Sequence, residues 1–126
     1  MKKALAISFC IMLSAMFLSS CKKDSGSTSG DQITYEVIIN PNMTWMGSYF
    51  DATGAPTTIS GQSSGWKVTF TNKASKPTTL SILAAPIGSI PTNTVVTANI
   101  YVNGTLVKSA TSPTGSYAVE LIYNLN

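Results

Sequence analysis

The chain lacks the residues on which most enzyme active sites and metal centres depend. Its 126 residues contain no histidine, only two cysteines and only five acidic residues. The absence of histidine excludes Ser-His-Asp triads and the usual zinc sites. The acidic residues are too scattered to form a calcium-binding loop. We therefore expect no catalytic residue, no metal site and no cofactor.

The amino-terminal segment has the pattern of a secretory signal peptide. Lys2 and Lys3 form a basic start, and an apolar run of 14 residues follows over 4–17. A permanent transmembrane helix needs about 20 such residues. The short run after a basic start favours a cleaved signal over a retained helix.

A short motif directly after this run indicates how the signal is processed. Leu18-Ser19-Ser20-Cys21 resembles the lipobox of bacterial lipoproteins, in which a leucine and two small residues precede the modified cysteine. The resemblance implies cleavage before Cys21 and acylation of its thiol. Two or three acyl chains would hold the protein in a membrane almost permanently. The alternative is an ordinary signal peptide with a cysteine near its cleavage site.

The exported part is long enough for one domain. Removal of residues 1–20 leaves 106 residues, with six lysines against five acidic residues. A net charge of +1 provides no basic stripe for a nucleic acid. Cys10 leaves with the signal and Cys21 carries lipid, so no disulfide can form. We predict a signal peptide over 1–20, the lipidated cysteine with a flexible Ser/Gly-rich tether over 21–32, and a folded domain over 33–126.

Apolar and polar residues alternate along most of this domain, which is the pattern of half-buried β-strands. The alternation is clear over 33–39, 66–71 and 117–125, and a further strand is expected over 45–50. Seven or eight short strands with frequent turn signals predict an all-β fold, a single antiparallel β-sandwich of immunoglobulin-like architecture. A small barrel is the alternative.

The sharpest local signal is Asn103-Gly104 between two alternating runs. This dipeptide favours a type I′ hairpin turn, because both central residues need positive φ. Pairing about the turn places Tyr101 opposite Leu106. It also predicts that Ile100 lies opposite Val107, and Asn99 opposite Lys108.

Several stretches are similar to the small mycobacterial membrane protein family. They are the hairpin region over 96–117, Tyr35-Glu36-Val37 and Gly65-Trp66-Lys67. The resemblance implies an immunoglobulin-like sandwich outside the membrane that assists an exporter of lipids or siderophores. This chain has a lipobox cysteine where that family has a transmembrane helix. Its Cys-Lys-Lys-Asp start and arginine-free body also resemble small lipoproteins of Bacteroidota, which favours the outer membrane.

Two pairs of apolar or aromatic residues are the candidate contact surface: Met46 with Phe50, or Tyr101 with Leu106. An exposed apolar patch marks a site of interaction, so we expect a non-enzymatic binding or adaptor module of the cell envelope. An exporter accessory is the alternative. A different grouping, Trp45, Tyr49, Trp66 and Tyr101, would form an aromatic platform for a sugar or lipid, although the alternation around Trp66 favours a core position.

An enzymatic alternative, a small hydrolase, is less favoured. It would require a Ser–Lys dyad at Lys67 or Lys108, or a carboxylate pair among Glu36, Asp51 and Glu120. The strand pattern places both lysines, Glu36 and Glu120 on outward faces, and Asp51 in a turn.

The lipobox generates a direct test. A Cys21→Ala precursor should incorporate no labelled fatty acid, because the thiol is the acceptor of the lipid. Metabolic labelling followed by gel autoradiography measures this, with a Cys10→Ala precursor as the matched control that should label normally. Labelled Cys21→Ala protein would contradict the assignment.

Overall fold

The computed structural model describes residues 30–126. The predicted signal peptide, Cys21 and most of the tether lie outside the described residues. The described part contains eight β-strands. They are β1 (Gln32–Asn40), β2 (Trp45–Phe50), β3 (Pro56–Gln62), β4 (Trp66–Thr71), β5 (Thr78–Pro86), β6 (Val95–Val102), β7 (Thr105–Thr111) and β8 (Val119–Leu125).

The strands form two antiparallel sheets of four. The first sheet has the order β4-β1-β6-β7, and the second sheet has the order β3-β2-β5-β8. The all-β sandwich predicted from the alternation is thereby confirmed. Its strand order differs from the ABED and CFG sheets of immunoglobulin constant domains. The likeness to those domains therefore lies in the two-layer architecture. Within residues 30–126 there is no helix long and apolar enough to cross a membrane.

The core lies between the sheets and is built from alternate residues of the strands. On β1 the inward side chains Ile33, Tyr35, Val37 and Ile39 are buried, and Ile82 of β5 meets them from the second sheet. Full burial of an aliphatic or aromatic side chain contributes about 1.5–3 kcal/mol. The period of two in the sequence thus has a direct energetic cause, because a one-residue slip would expose the whole inner row.

Aromatic side chains fill the side of the sandwich on which β3 and β4 form the edges. The two sheets come closest along β7 and β8. On the opposite side, Trp45 meets Trp66 edge-on at a ring-centroid distance of 5.3 Å, and Tyr49 lies 5.6 Å from Trp66. Tyr35 lies 5.6 Å from Tyr49 and 5.7 Å from Phe70. Tilted aromatic pairs at this spacing add about 0.5–1.5 kcal/mol each to their burial.

The Asn103-Gly104 turn forms as predicted. The φ angles are 51° at Asn103 and 80° at Gly104, and Tyr101 pairs with Leu106. Beyond this pair the predicted register is wrong, because a β-bulge shifts Ile100 to Lys108 and Asn99 to Ser109. The bulge gives β7 one extra residue. It allows both Val107 and Ala110 to pack against the core.

The same turn holds the start of β1. The side-chain amide of Asn103 donates to Asp31 Oδ1 at 2.8 Å and accepts from the Gln32 backbone N–H at 2.9 Å. Asp31 also forms an ion pair with Lys76. Asp31 belongs to the predicted tether by composition, yet these contacts make it part of the folded domain.

A glycine in β2 sets how closely the two central strands of the second sheet approach each other. A Cβ atom at Gly47 would lie 1.8 Å from the backbone oxygen of Leu83 on β5. No side-chain rotation relieves such an overlap, because the opposing atom is backbone. The strands would have to separate at the centre of the sheet.

We therefore expect Gly47→Ala to lower the free energy of unfolding by about 2 kcal/mol or more. The neighbouring Ser48→Ala change, on the outer face of the same strand, should stay within about 0.5 kcal/mol of wild type. Urea denaturation followed by tryptophan fluorescence measures both. Equal midpoints for Gly47→Ala and wild type would contradict this account.

Candidate contact surface

The structure places the four predicted contact residues on two opposite sides of the sandwich. Met46 and Phe50 lie on β2, at outward positions of the second sheet, with Met46 exposed and Phe50 half-buried. Tyr101 and Leu106 face each other across β6 and β7 on the first sheet. The four residues therefore form two separate pairs on different sheets.

The pair on β2 belongs to a larger apolar surface on the second sheet. Met46 lies beside Ala85 of β5, and Leu83 follows two residues earlier on the same outward row of β5. Ile122 of β8 lies beside Ser81, diagonal to Leu83. Past the end of β5, the Ile87 backbone N–H donates to the Thr44 carbonyl at 2.9 Å and continues the pairing with β2. We call this surface the contact face; its members are Met46, Phe50, Leu83, Ala85, Ile87 and Ile122.

The exposure of these side chains distinguishes the contact face from the rest of the surface. Four of the seven large hydrophobic residues that are exposed within residues 30–126 lie on it: Met46 (45%), Leu83 (39%), Ile87 (37%) and Ile122 (50%). Isolated exposed hydrophobic residues are ordinary, whereas neighbouring ones mark sites of interaction. Leu83 and Ile122 were missed in the sequence as contact residues. Their signal was present, since each occupies an outward position between inward apolar residues.

The contact face carries very little charge. Among residues 30–126, the charged side chain that lies beside it is Glu120, opposite Leu83 in the β5–β8 pairing. The lysines of the described residues lie elsewhere: Lys67 on β4, Lys73 and Lys76 between β4 and β5, and Lys108 on β7. A surface without lysine does not attract anionic lipid headgroups. Its chemistry suits an apolar protein surface.

The outer face of the first sheet has the opposite character, because a chain of polar side chains crosses all four of its strands. Glu36 on β1 accepts from Lys67 Nζ at 2.9 Å, from the Asn99 amide at 2.9 Å and from the Tyr101 hydroxyl at 2.8 Å. The Ser109 hydroxyl donates to Asn99 Oδ1 at 2.6 Å. We call these five residues the polar relay. Glu36 lies on the outward face, as predicted. It is only 8% exposed, however, so the prediction that it is solvent-exposed is wrong.

The relay determines the ionisation of its members. Burial alone would raise the pKa of Glu36, but the hydrogen bonds from Lys67, Asn99 and Tyr101 outweigh it and lower the pKa. The hydrogen bond with Glu36 raises the pKa of Lys67. The same carboxylate, together with burial, raises the pKa of Tyr101. Tyr101 is thus a neutral donor held against the sheet.

The residues weighed for catalysis have other roles in this arrangement. A Ser–Lys dyad needs a lysine whose pKa is depressed, whereas Glu36 raises that of Lys67. Glu36 and Glu120 lie in different sheets and cannot form a carboxylate pair. Asp51 caps its own turn, accepting from the Thr53 backbone N–H at 2.8 Å and the Thr53 hydroxyl at 2.7 Å. These hydrogen bonds from Thr53 lower the pKa of Asp51.

The aromatic platform considered from the sequence does not form. Trp45 is fully buried, and Tyr49 and Trp66 are half-buried and pack against the core. Tyr101 lies apart from them, on the outer face of the first sheet. Residues 30–126 also contain no group of three or more histidine, cysteine or acidic side chains that could hold a metal ion.

The polar relay predicts how stability changes with pH. The pKa of Glu36 is lower in the folded protein than in the unfolded chain, where it is about 4.3. Its contribution is therefore present above the unfolded pKa and is lost as the pH falls through the folded pKa. Glu36→Gln should reduce the free energy of unfolding at pH 7 by about 1–3 kcal/mol. The amide keeps only one acceptor oxygen for the three donors, places an NH₂ group where the second oxygen was, and carries no charge to pair with Lys67. The substitution should also flatten the decline in stability below pH 5.

Urea denaturation at several pH values measures both effects. Glu120→Gln is the matched control, since Glu120 is exposed and makes no polar contact within the described part of the chain. Equal effects of the two substitutions at pH 7 would contradict the stabilising role of the polar relay.

No protein-family model matches the chain, and no curated protein matches it. The similarity to the small mycobacterial membrane proteins therefore stays a prediction.

Proposed function

We propose that this protein is a non-enzymatic, lipid-anchored binding module of the cell envelope that docks a protein partner on its contact face. The lipid on Cys21 would hold the domain at the membrane, in the outer membrane if the resemblance to Bacteroidota lipoproteins applies. The β-sandwich would present the contact face as a rigid surface. An accessory role beside an exporter is one form that such docking could take.

The observation that carries this proposal is the grouping of exposed apolar side chains on a lysine-free sheet. Met46, Leu83 and Ile122 lie on three neighbouring strands of one continuously paired sheet. Burial of such side chains against a partner contributes roughly 25 cal/mol for each Å² of apolar surface removed from water. Glu120 at its side would favour a partner with a cationic group at the matching position.

The polar relay supports the same division of roles. Hydrogen-bonding groups on the first sheet satisfy one another, as Glu36 and Asn99 do. Ile38, Val95 and Leu106 are also exposed on that sheet, but Leu106 lies at the opposite end from the other two. The protein therefore offers a partner two chemically different sides, and the second sheet is the apolar one.

Charge substitutions on the contact face test the proposal. We expect Met46→Lys and Leu83→Lys, introduced separately in the full chain, each to reduce cross-linking of envelope proteins to this protein in intact cells by tenfold or more. The physical reason is that a buried, unpaired ammonium group is strongly unfavourable in an apolar interface. Quantitative mass spectrometry of the cross-linked species measures the loss.

Leu106→Lys is the matched control, because Leu106 is 51% exposed on the other sheet. Each variant is first checked for an unchanged unfolding midpoint. Loss of the same partner in Leu106→Lys, with Met46→Lys and Leu83→Lys unaffected, would transfer the docking site to the first sheet. Loss in none of the three folded variants would remove the proposal.

A further inference from the structure

The four edge strands differ in how well they are protected against pairing with another chain. Natural edge strands carry lysines, prolines or bulges that discourage such pairing. β4 carries Lys67, whose side chain is 58% exposed. β7 carries Lys108 and a bulge near the turn. β3 begins with Pro56 and has its own irregularity where Trp45 pairs with Gln62 and Met46 with Ser60.

β8 lacks all three devices, and its one charged side chain is Glu120. It pairs with β5 in unbroken register from Val119 to Leu125, and its sequence contains no proline and no lysine. Within the described residues its backbone pairs with β5 alone; β7 of the other sheet packs beside it without pairing. Ile122, half exposed, stands at the middle of β8 and at the margin of the contact face.

We propose that two copies of this protein pair antiparallel through β8, so that their second sheets join into one eight-stranded sheet. The two-fold axis passes by Ile122, which lies opposite Ile122 of the other copy. The joined sheet would make the two contact faces continuous. This inference goes beyond the proposed function, since a monomer could dock a partner equally well.

The sequence of β8 is self-complementary in this register. Antiparallel pairing about Ile122 sets Glu120 of one copy opposite Asn124 of the other, so that the two carboxylates do not face each other. On the inner side, Leu121 lies opposite Tyr123, and Val119 opposite Leu125. Every apolar residue of the strand therefore meets an apolar residue, and the one charge meets an amide.

Single cysteines in the full chain, expressed in the cell envelope, test this pairing. The folded domain has no thiol of its own, so an Ile122→Cys variant carries one reporter at the proposed axis. Opposite residues of paired strands have Cβ atoms about 4.5–5.5 Å apart, close to the separation in a disulfide. We expect mild oxidation to convert more than half of Ile122→Cys into a dimer that reducing agent reverses on a gel.

Leu83→Cys is the matched control on the same face, because Leu83 lies on β5, one strand in from the edge. Two β8 strands would keep the two Leu83 residues at least about 14 Å apart, since three strand spacings of about 4.8 Å separate the two β5 strands. Leu83→Cys should therefore stay monomeric. A Thr58→Cys variant on the opposite edge strand should also stay monomeric.

Two results would overturn the proposal. One is a folded Ile122→Cys protein that remains monomeric on oxidation. The other is a Leu83→Cys protein that cross-links as completely as Ile122→Cys, which would indicate face-to-face stacking of the sheets. A disulfide dimer of the wild-type chain would instead show that Cys21 is free, and it would count against the lipid anchor alone. Loss of partner docking in Met46→Lys is measured separately, so it tests the proposed function whatever the oxidation experiments show.

Discussion

The burial of one side of each strand between the two sheets is the constraint on which the other features of this domain depend. The described part of the chain has no cysteine, so no disulfide limits the unfolded state. Packing has to supply the stability instead, and it does so through fully buried side chains such as Tyr35, Trp45 and Ile82. The aromatic side chains have a further role, because they fill the side of the sandwich where the sheets are farther apart. A small domain without covalent links is thereby closed on both sides.

This constraint leaves the two outer faces free to take different chemistry, and they do. On the first sheet, Glu36 is buried and accepts hydrogen bonds from donors on β4 and β6. A buried carboxylate without partners is strongly unfavourable, so Glu36 holds Lys67, Asn99 and Tyr101 in fixed positions. On the second sheet, the outward side chains are mostly apolar or small. One side-chain hydrogen bond joins neighbouring strands there, and it runs from the Thr79 hydroxyl to Asn124. One face is held by its own polar contacts, while the other has apolar surface still exposed.

The sequence predicts local features of this fold far better than long-range ones. The bounds of β2 and the Asn103-Gly104 turn follow from residue types within a few positions, because alternation and positive φ are local requirements. The pairing of β1 with β4 joins residues 29–39 positions apart, and its pairing with β6 joins residues 55–69 positions apart. Alternation carries no information about either pairing. The bulge in β7 is similarly hidden, since its cause is the access of Val107 and Ala110 to the core.

The candidate site shows the same limit. Alternation identifies Met46 and Leu106 as outward, but it cannot tell which sheet either of them belongs to. The sequence therefore leaves the Met46/Phe50 pair and the Tyr101/Leu106 pair as alternatives without showing that they lie on different sheets. Leu83 and Ile122 become recognisable as part of the same apolar surface as Met46 only when β5 and β8 are placed side by side with β2. Glu36 likewise looks solvated until Asn99 and Tyr101, which follow it by 63 and 65 residues, are brought against it from β6.

The position of the contact face relative to the core explains why an apolar surface can persist there without disturbing the fold. The strands that carry it, β2 and β5, are the central pair of the second sheet, and their inner faces hold Trp45 and Ile82, which are fully buried. A substitution at an outward position such as Leu83 changes a side chain that the core does not touch. The outer face can therefore adapt to a partner while the inner face keeps the register fixed. The same reasoning applies to β8, where inward Leu121 fixes the strand and outward Ile122 remains exposed at an edge that carries no lysine, proline or bulge.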